Sequence, residues 1–309
     1  MGKEIREVTS PKLKAASERF NSALGRSSGG FKMNKLTMYL IRYWIGKLYK
    51  SVPVEEGIRF SKVRLRNTAA VLAEPVSGTL SDDIIVYIHG GAFMSGRAGY
   101  SKGYISSLAK TSGLRTYAID YHLSPEVKYP TAFNECLEAI DTLIEDNKDS
   151  HITITGDSAG GNLCAAIALE RKDKISCVIL HSPVIDLSDT IDRTGFNKDS
   201  IVVKKGLKDT FKKLYIGDHD EKDPSVSPYF GDYTKFPPVF ITCDSNEGLY
   251  ADSLYVYDRC SEAGVLCELV AMKGAFHAFA TMGGSSPETR KLMEDYIAFM
   301  RSVVSGENI

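Results

Sequence analysis

The 309-residue chain is long enough for one large α/β domain with a modest additional element, or for two small domains. Its 43% hydrophobic and 25% charged residues are ordinary for a soluble globular protein, and its net charge of −1 gives no reason to expect a nucleic-acid partner. No apolar run approaches the ~20 residues that span a bilayer, and the N-terminus lacks the apolar core of a signal peptide, so we expect no stable membrane anchor.

Residues 1–55 carry helical patterns, with Pro11 near a helix start and a predicted break at Gly25–Gly30. From Phe31 to Lys50 apolar residues recur at helical spacing, and every charged residue is basic. A basic amphipathic helix can lie on a membrane surface, but such stripes are more often contacts within a fold. We therefore favour a helix packed across the mouth of an active site, and interpret residues 1–55 as an N-terminal helical cap segment.

From about residue 58 strand and helix patterns alternate. Strands are predicted at Ile58–Leu65, Ala69–Ala73, Ile84–Ile88, Arg115–Ile119, 151–155, Ser176–Leu180, Val239–Thr242 and Leu266–Val270, and helices at 101–111, 131–145, 159–171, 250–262 and 287–303. This alternation indicates an α/β fold with a mostly parallel sheet and helices on both faces, where ligands bind at the carboxyl ends of the strands. Residues 185–235 are irregular and polar, which indicates a second cap segment within a catalytic domain of residues 56–309.

The most specific local pattern is Gly156-x-Ser158-x-Gly160, between a predicted strand and an Ala-rich apolar helix. Glycine, serine and glycine at this spacing form a nucleophile elbow, a sharp turn that exposes the serine and leaves no room for a Cβ two residues to either side. The pentapeptide alone also occurs in ordinary loops. The strand before it and the helix after it favour Ser158 as a nucleophile.

Directly after the Ile84–Ile88 strand, the sequence His-Gly-Gly-Ala-Phe can approach a substrate with its backbone, because small residues leave N–H groups uncovered. We assign an oxyanion hole to the amides of Gly91, Ala92 and Ala159, the residue after the nucleophile. Gly90 is grouped with them as the turn residue that lets the loop present these amides. The alternative is a glycine turn that merely ends a strand.

A serine nucleophile needs a base, and in a fold with a nucleophile elbow the chain order is serine, acid, histidine. The six histidines are His89, His122, His151, His181, His219 and His277. The first three precede the serine, the fourth leaves no room for an acid, and His219 lies in a polar stretch typical of a surface turn. His277 follows the last apolar strand on a predicted loop and is therefore the predicted base.

Three carboxylates follow the Val239–Thr242 strand, where a loop acid can accept a hydrogen bond from the histidine Nδ1–H and fix its tautomer. These candidates are Asp244, Glu247 and Asp252. We take Glu247 as the acid, with Asp244 as the alternative.

The cysteine pattern disfavours disulfides and metal sites. Six cysteines are present without a C-x-x-C pair, and several fall in apolar strand or helix patterns. They are typical of reduced, partly buried thiols in a cytoplasmic enzyme. No His/Cys spacing resembles a zinc site, so no metal is predicted.

Several motifs in this order resemble the hormone-sensitive-lipase-like (type IV) family of α/β hydrolases, which includes many bacterial carboxylesterases. The motifs are His89–Phe93, Asp120–Glu126, Tyr129–Ala132, Gly156–Leu163, Asp223–Pro228 and Gly274–Phe279. The resemblance covers about residues 80–280 and implies an α/β-hydrolase fold with a helical cap. It also implies hydrolysis of short-chain acyl esters, acetyl to hexanoyl, through an acyl-serine without a cofactor. Pairing of edge strands into a homodimer is frequent in such proteins, and the sequence leaves the oligomeric state open.

Two positions depart from the family pattern. Glu247-Gly248-Leu249 stands where the family usually has Asp-Pro-Leu, and His122 stands where it usually has arginine, which predicts weaker support beneath the active-site loops. Two alternative functions remain on the same triad, an amide or formamide hydrolase and a deacetylase of acetylated sugars. A non-catalytic small-molecule receptor is a third, although such a protein would be expected to lose Ser158 or His277.

Overall fold

A computed structural model of the protein describes residues 2–25, 35–195 and 207–306. Its strands are β1 Gly2–Glu7, β2 Ile58–Leu65, β3 Thr68–Pro75, β4 Ile84–Ile88, β5 Arg115–Asp120, β6 Ile152–Asp157, β7 Cys177–His181, β8 Val239–Asp244 and β9 Cys267–Lys273. Its α-helices are α1 Pro11–Gly25, α2 Lys35–Tyr49, α3 Lys102–Ser112, α4 Thr131–Asp146, α5 Ala159–Glu170, α6 Leu207–Phe211, α7 Tyr250–Glu262 and α8 Pro287–Ser305. Each strand and helix predicted after residue 58 is confirmed, with ends that differ by a few residues at most.

The strands form one sheet in the order β1-β9-β8-β7-β6-β4-β5-β3-β2. From β1 to β5 all neighbours are parallel, and only β3 and β2 run antiparallel to their neighbours. Every residue of β4, β6, β7 and β8 is buried, as expected for central strands covered on both faces. The carboxyl ends of these strands therefore open at one edge, where the predicted site lies.

Helices cover both faces of the sheet. Helices α4, α5 and α7 pack on one face, with alternate residues of β4 such as Val86, and α1, α3 and α8 pack on the other with Ile85 and Tyr87. This two-sided packing is the α/β architecture that the alternating pattern predicts.

The prediction of helical patterns alone for residues 1–55 is wrong at its start, where a strand precedes the helices. Residues 2–7 form β1, which pairs in parallel with β9 at one edge of the sheet. Its sequence, Gly-Lys-Glu-Ile-Arg-Glu, has one large apolar residue, and Ile5 is exposed, so no hydrophobic period marks it. An edge strand of this kind gains its stability from backbone pairing, which leaves little trace in composition.

The first of the two N-terminal helices begins where the sequence predicts a helix start. Helix α1 starts at Pro11, and α2 ends at Tyr49, one residue before the end of the predicted helical stretch. The predicted break at Gly25–Gly30 lies almost entirely outside the described residues, as does the stretch from Phe31 to Asn34.

The described part of the predicted second cap segment, residues 185–195 and 207–235, contains no strand. It has the short helix α6, a π-helical turn at Lys212–Ile216 and a 3-10 turn at Pro228–Phe230. The aromatic rings of Phe93 and Tyr215 stack at 3.8 Å between centroids, so this segment packs on the loop that follows β4.

Candidate active site

The Ser158 turn has the geometry of a nucleophile elbow. Ser158 lies between β6 and α5 with φ 53° and ψ −117°, a combination that side-chain-bearing residues rarely adopt. A Cβ on Gly160 would lie 2.0 Å from the carbonyl oxygen of Ile88, and one on Gly156 would lie 2.5 Å from the carbonyl oxygen of Gly160. Only glycine fits at these two positions, because β4 and α5 approach the turn so closely.

The backbone of Ser158 is fixed by its neighbours while its side chain remains partly exposed. Its N–H donates to the carbonyl of His181 at 2.9 Å, and its carbonyl accepts from Asn162 N–H at 3.0 Å and Val184 N–H at 3.2 Å. The elbow is therefore joined to the loop after β7, and the hydroxyl points from a rigid support.

His277 and Glu247 form a close pair at the ends of β9 and β8. Nδ1 of His277 lies 2.6 Å from Oε2 of Glu247, so the neutral imidazole donates Nδ1–H to the carboxylate and presents Nε2 as a base. The Glu247 side chain is 4% exposed and that of His277 17%. Burial lowers the pKa of His277, but the charge and hydrogen bond of Glu247 more than offset it, so the pKa is raised above its usual 6.5.

The other two candidate acids lie elsewhere. The carboxylate of Asp244 accepts backbone N–H groups of Asn246, Gly274 and Ala275, and burial together with the charge of Glu247 raises its pKa to about 6. Asp252 is fully buried in an ion pair with Arg193, with Nε and Oδ2 2.7 Å apart. Neither carboxylate binds the histidine, and the geometry favours Glu247 as the acid.

The loop after β4 has the conformation that presents backbone amides. Gly91, Ala92 and Phe93 take positive φ values of 118°, 57° and 60° in succession, which turns the chain sharply. The N–H of Gly90 donates to Oδ1 of Asp157 at 2.9 Å, so Gly90 anchors the loop. Consecutive amides in such a turn form a concave, anion-binding surface.

Asp157, which the sequence analysis did not single out, connects the elbow to this loop. Besides the N–H of Gly90, its carboxylate accepts the hydroxyl of Tyr87 at 2.6 Å and that of Tyr49 at 2.7 Å. Tyr49 comes from α2, so one buried carboxylate joins the nucleophile turn, the amide loop and helix α2. Its place directly before the nucleophile was the only sequence signal of this role.

Arg42 of α2 makes a second connection to the same loop. Its guanidinium donates to the carbonyl of Met94 at 2.7 Å and of Ser124 at 2.9 Å, and binds both oxygens of Glu126 at 2.7 and 2.6 Å. His122, where an arginine was expected to support these loops, instead faces outward against Glu135, with its side chain 70% exposed. A guanidinium therefore supports the loop here, but it comes from α2.

The five other histidines have structural or surface positions. His181 is fully buried between Tyr104 and Thr242, and burial lowers its pKa to about 3. His89 is buried against the ring of Tyr121, and His151 binds Asp83 in an exposed pair. His277 differs from them because its carboxylate partner, Glu247, is buried at the carboxyl end of a central strand.

The described residues contain no cluster of three or more His, Cys, Asp or Glu side chains placed to hold a metal ion. All six cysteines are free and buried. None of the described helices is long and apolar enough to cross a membrane.

Comparison with known proteins is consistent with this site. A family model described as α/β hydrolase fold matches residues 85–281. The chain is 28% identical over 271 residues to a protein named esterase from Acinetobacter venetianus, a match that covers 85% of this chain and 88% of that protein. It is 26% identical over 231 residues to an acetyl-hydrolase from Streptomyces hygroscopicus, covering 73% of this chain and 77% of that protein.

Solved structures show the same fold. One described as an esterase from the bacterial hormone-sensitive lipase family superposes with a TM-score of 0.84. The match covers 96% of this chain and 99% of that chain at 23% identity.

Proposed function

Since this chain belongs to the α/β hydrolase fold family, we infer that it is a serine carboxylesterase that works through an acyl-serine intermediate. The observation that carries the inference is the 2.6 Å pairing of Glu247 with His277, at the same carboxyl edge of the sheet as the strained Ser158 elbow. The esterase and acetyl-hydrolase names of its relatives support the same class of reaction.

In the proposed reaction His277 is the general base. Nε2 of His277 takes the proton of Ser158 as Oγ attacks the ester carbonyl carbon, and the imidazolium then protonates the leaving alcohol. A water molecule, deprotonated by the same nitrogen, attacks the acyl carbon. The imidazolium returns the proton to Oγ of Ser158 as the acyl–oxygen bond breaks and the carboxylic acid leaves. Glu247 holds the imidazole in the Nδ1–H tautomer and stabilises the imidazolium through its charge.

The oxyanion is assigned to the amides of Gly91, Ala92 and Ala159. Ala159 is the first residue of α5, so its N–H also lies at a positive helix end. Asp157 supports the assignment, because it fixes the loop through Gly90 and itself belongs to the elbow. Loss of one such donor typically costs about 3 kcal/mol of transition-state stabilisation.

The proposed substrates are short-chain acyl esters, from acetyl to hexanoyl. The acetyl-hydrolase name of one relative supports small acyl groups. We also propose the cytoplasm as its location, since six free, buried thiols are typical of a reducing compartment.

Hydrolysis of p-nitrophenyl esters from acetate to laurate tests this function, with wild type beside Ser158→Ala. We expect turnover to peak at short chains and to fall by at least about 1,000-fold in the variant, since the nucleophile is removed. Matched aryl amides and acetylated sugars are assayed in parallel. Cleavage of amides without esters, or full activity of a folded Ser158→Ala protein, would contradict the proposal.

A further inference from the structure

Strand β7 contributes no member of the proposed triad, yet it lies between the strands that carry the nucleophile and the acid. Ser158 follows β6 and Glu247 follows β8, and β7 pairs with both. The residue directly after β7 is Ser182, which is 1% exposed and has φ 46°. It therefore sits in a strained conformation at the carboxyl edge of the sheet, between nucleophile and acid.

The Ser182 hydroxyl joins the acid to the histidine loop. It donates a short hydrogen bond to Oε1 of Glu247, the carboxylate oxygen that His277 does not use. The same oxygen atom of Ser182 accepts the N–H of Ala278, the residue after the histidine, at 3.0 Å. This one hydroxyl thus donates its proton to the acid and accepts a hydrogen bond from the loop that carries the base.

The backbone on either side of this hydroxyl is tied to the rest of the site. The N–H of Ser182 donates to the carbonyl of Thr242 at 2.7 Å, and the carbonyl of His181 accepts the N–H of Ser158 at 2.9 Å. Residues 181 and 182 therefore touch the elbow, the acid and the histidine loop. A carboxylate held from both sides cannot rotate away from the imidazole, which keeps the histidine tautomer fixed.

We propose that Ser182 is a positioning residue for the ester hydrolysis reaction, whose hydroxyl holds Glu247 and the His277 loop in register. This rests on the proposed function of the preceding subsection. Ser182 contacts neither substrate nor reacting atoms in this role and acts through the acid.

The test is steady-state hydrolysis of p-nitrophenyl acetate by Ser182→Ala. We expect kcat to fall about 10- to 100-fold with KM within about twofold, as for a lost hydrogen bond to a charged group that matters in the transition state. In a Glu247→Gln background the same change should lower kcat less than about threefold, because the hydroxyl acts through the carboxylate. Unchanged kcat in the folded variant, or an equal loss in both backgrounds, would overturn the proposal.

Ser112→Ala is the matched control. The Ser112 hydroxyl is equally buried, donates to Leu108 and accepts from Leu114, but lies at the end of α3 away from the triad. The Ser112→Ala protein should lose about as much thermal stability as Ser182→Ala and should keep the wild-type kcat. Ser182→Gly covers the case in which Ser182→Ala folds poorly, because glycine also removes the hydroxyl but suits the positive φ, and it should show the same loss of kcat.

Failure of the proposed function has a separate signature. Wild-type protein should hydrolyse the ester and react with one equivalent of a fluorophosphonate at Ser158. Wild type that does neither would overturn the esterase assignment, and the role of Ser182 with it. Labelled, active wild type beside a fully active Ser182→Ala protein would overturn the role of Ser182 alone.

Discussion

Two parts of the candidate site are built in different ways: a strand-end half, formed by Glu247, His277 and Ser182, and an α2 half, formed by side chains of helix α2. Glu247, His277 and Ser182 are held by hydrogen bonds between loops that leave adjacent parallel strands. Helix α2 reaches the site through two side chains, Arg42 and Tyr49. Its opposite face exposes a row of large apolar side chains. They are Tyr39, Leu40, Tyr43, Trp44 and Leu48.

The difference follows from what each half must do in the proposed reaction. Proton transfer needs reacting groups held to a few tenths of an ångström, and the convergent ends of buried strands provide that rigidity. A helix that borders the site needs only to place the amide loop and to leave room for an ester. We therefore expect changes in the strand-end half to affect kcat far more than changes in α2.

The largest effect should come from the acid. Glu247→Gln keeps the size of the side chain but removes the charge and offers an amide that can present its NH₂ group to the histidine, which favours the wrong tautomer. We expect kcat for p-nitrophenyl acetate to fall by about 1,000- to 10,000-fold, as for the equivalent change in other triads.

Asp244→Asn is its matched control, since Asp244 is an equally buried carboxylate three residues away. It does not touch His277, so kcat should stay within about fivefold of wild type. A larger loss in Asp244→Asn than in Glu247→Gln would reverse the assignment of the acid.

A smaller effect is expected from the anchor on α2. Arg42→Met keeps much of the side-chain length but removes the donors to the carbonyls of Met94 and Ser124, so the amide loop loses one support. We expect kcat to fall about tenfold, well below the effect of the acid. Arg59→Met, which breaks the ion pair between Arg59 on β2 and Glu74 on β3, should leave kcat unchanged. Equal effects of the two substitutions would show that α2 is not a functional support.

The pH profile separates charge from position in the strand-end half. The base must be neutral, and its raised pKa means that it is protonated over a wider range, so kcat/KM should fall with decreasing pH around a midpoint above 6.5. Glu247→Gln removes the largest opposing charge while burial remains, so its midpoint should move to lower pH. Rate measurements from about pH 5 to about pH 9 suffice. A wild-type midpoint below 6.5 would contradict the pairing.

Much of the strand-end half could be predicted from the sequence because its signals are local. Ser158 sits between glycines, which the crowding at Gly156 and Gly160 explains. His277 follows the last strand and Glu247 follows β8, and parallel strands bring their carboxyl ends together without further information. The choice between Glu247 and Asp244 is different, since three residues of loop decide which carboxylate turns toward the histidine.

The contacts that support this half have no local signature. Ser182 is one serine after a buried strand, and its role depends on two loops 65 and 96 residues away in sequence. Arg42 lies 52 residues from Met94 in sequence, and no local pattern distinguishes it from the other basic residues of its stretch. Strand β1 lacks a hydrophobic period because its pairing with β9 is made by the backbone. Long-range hydrogen bonds and edge pairing are what one sequence does not reveal.

The smallest effect concerns the outer face of α2, where Trp44 is 61% exposed. Trp44→Ser removes a large apolar group that water already contacts, so the free energy of unfolding should change by less than about 0.5 kcal/mol. Met38→Ser on the inner face is the contrast, because Met38 is buried in the core and should lose more than about 2 kcal/mol. Chemical denaturation of both variants measures the difference. A loss above about 1 kcal/mol for Trp44→Ser that grows with protein concentration would mean that a second copy covers this face, since only association makes stability depend on concentration.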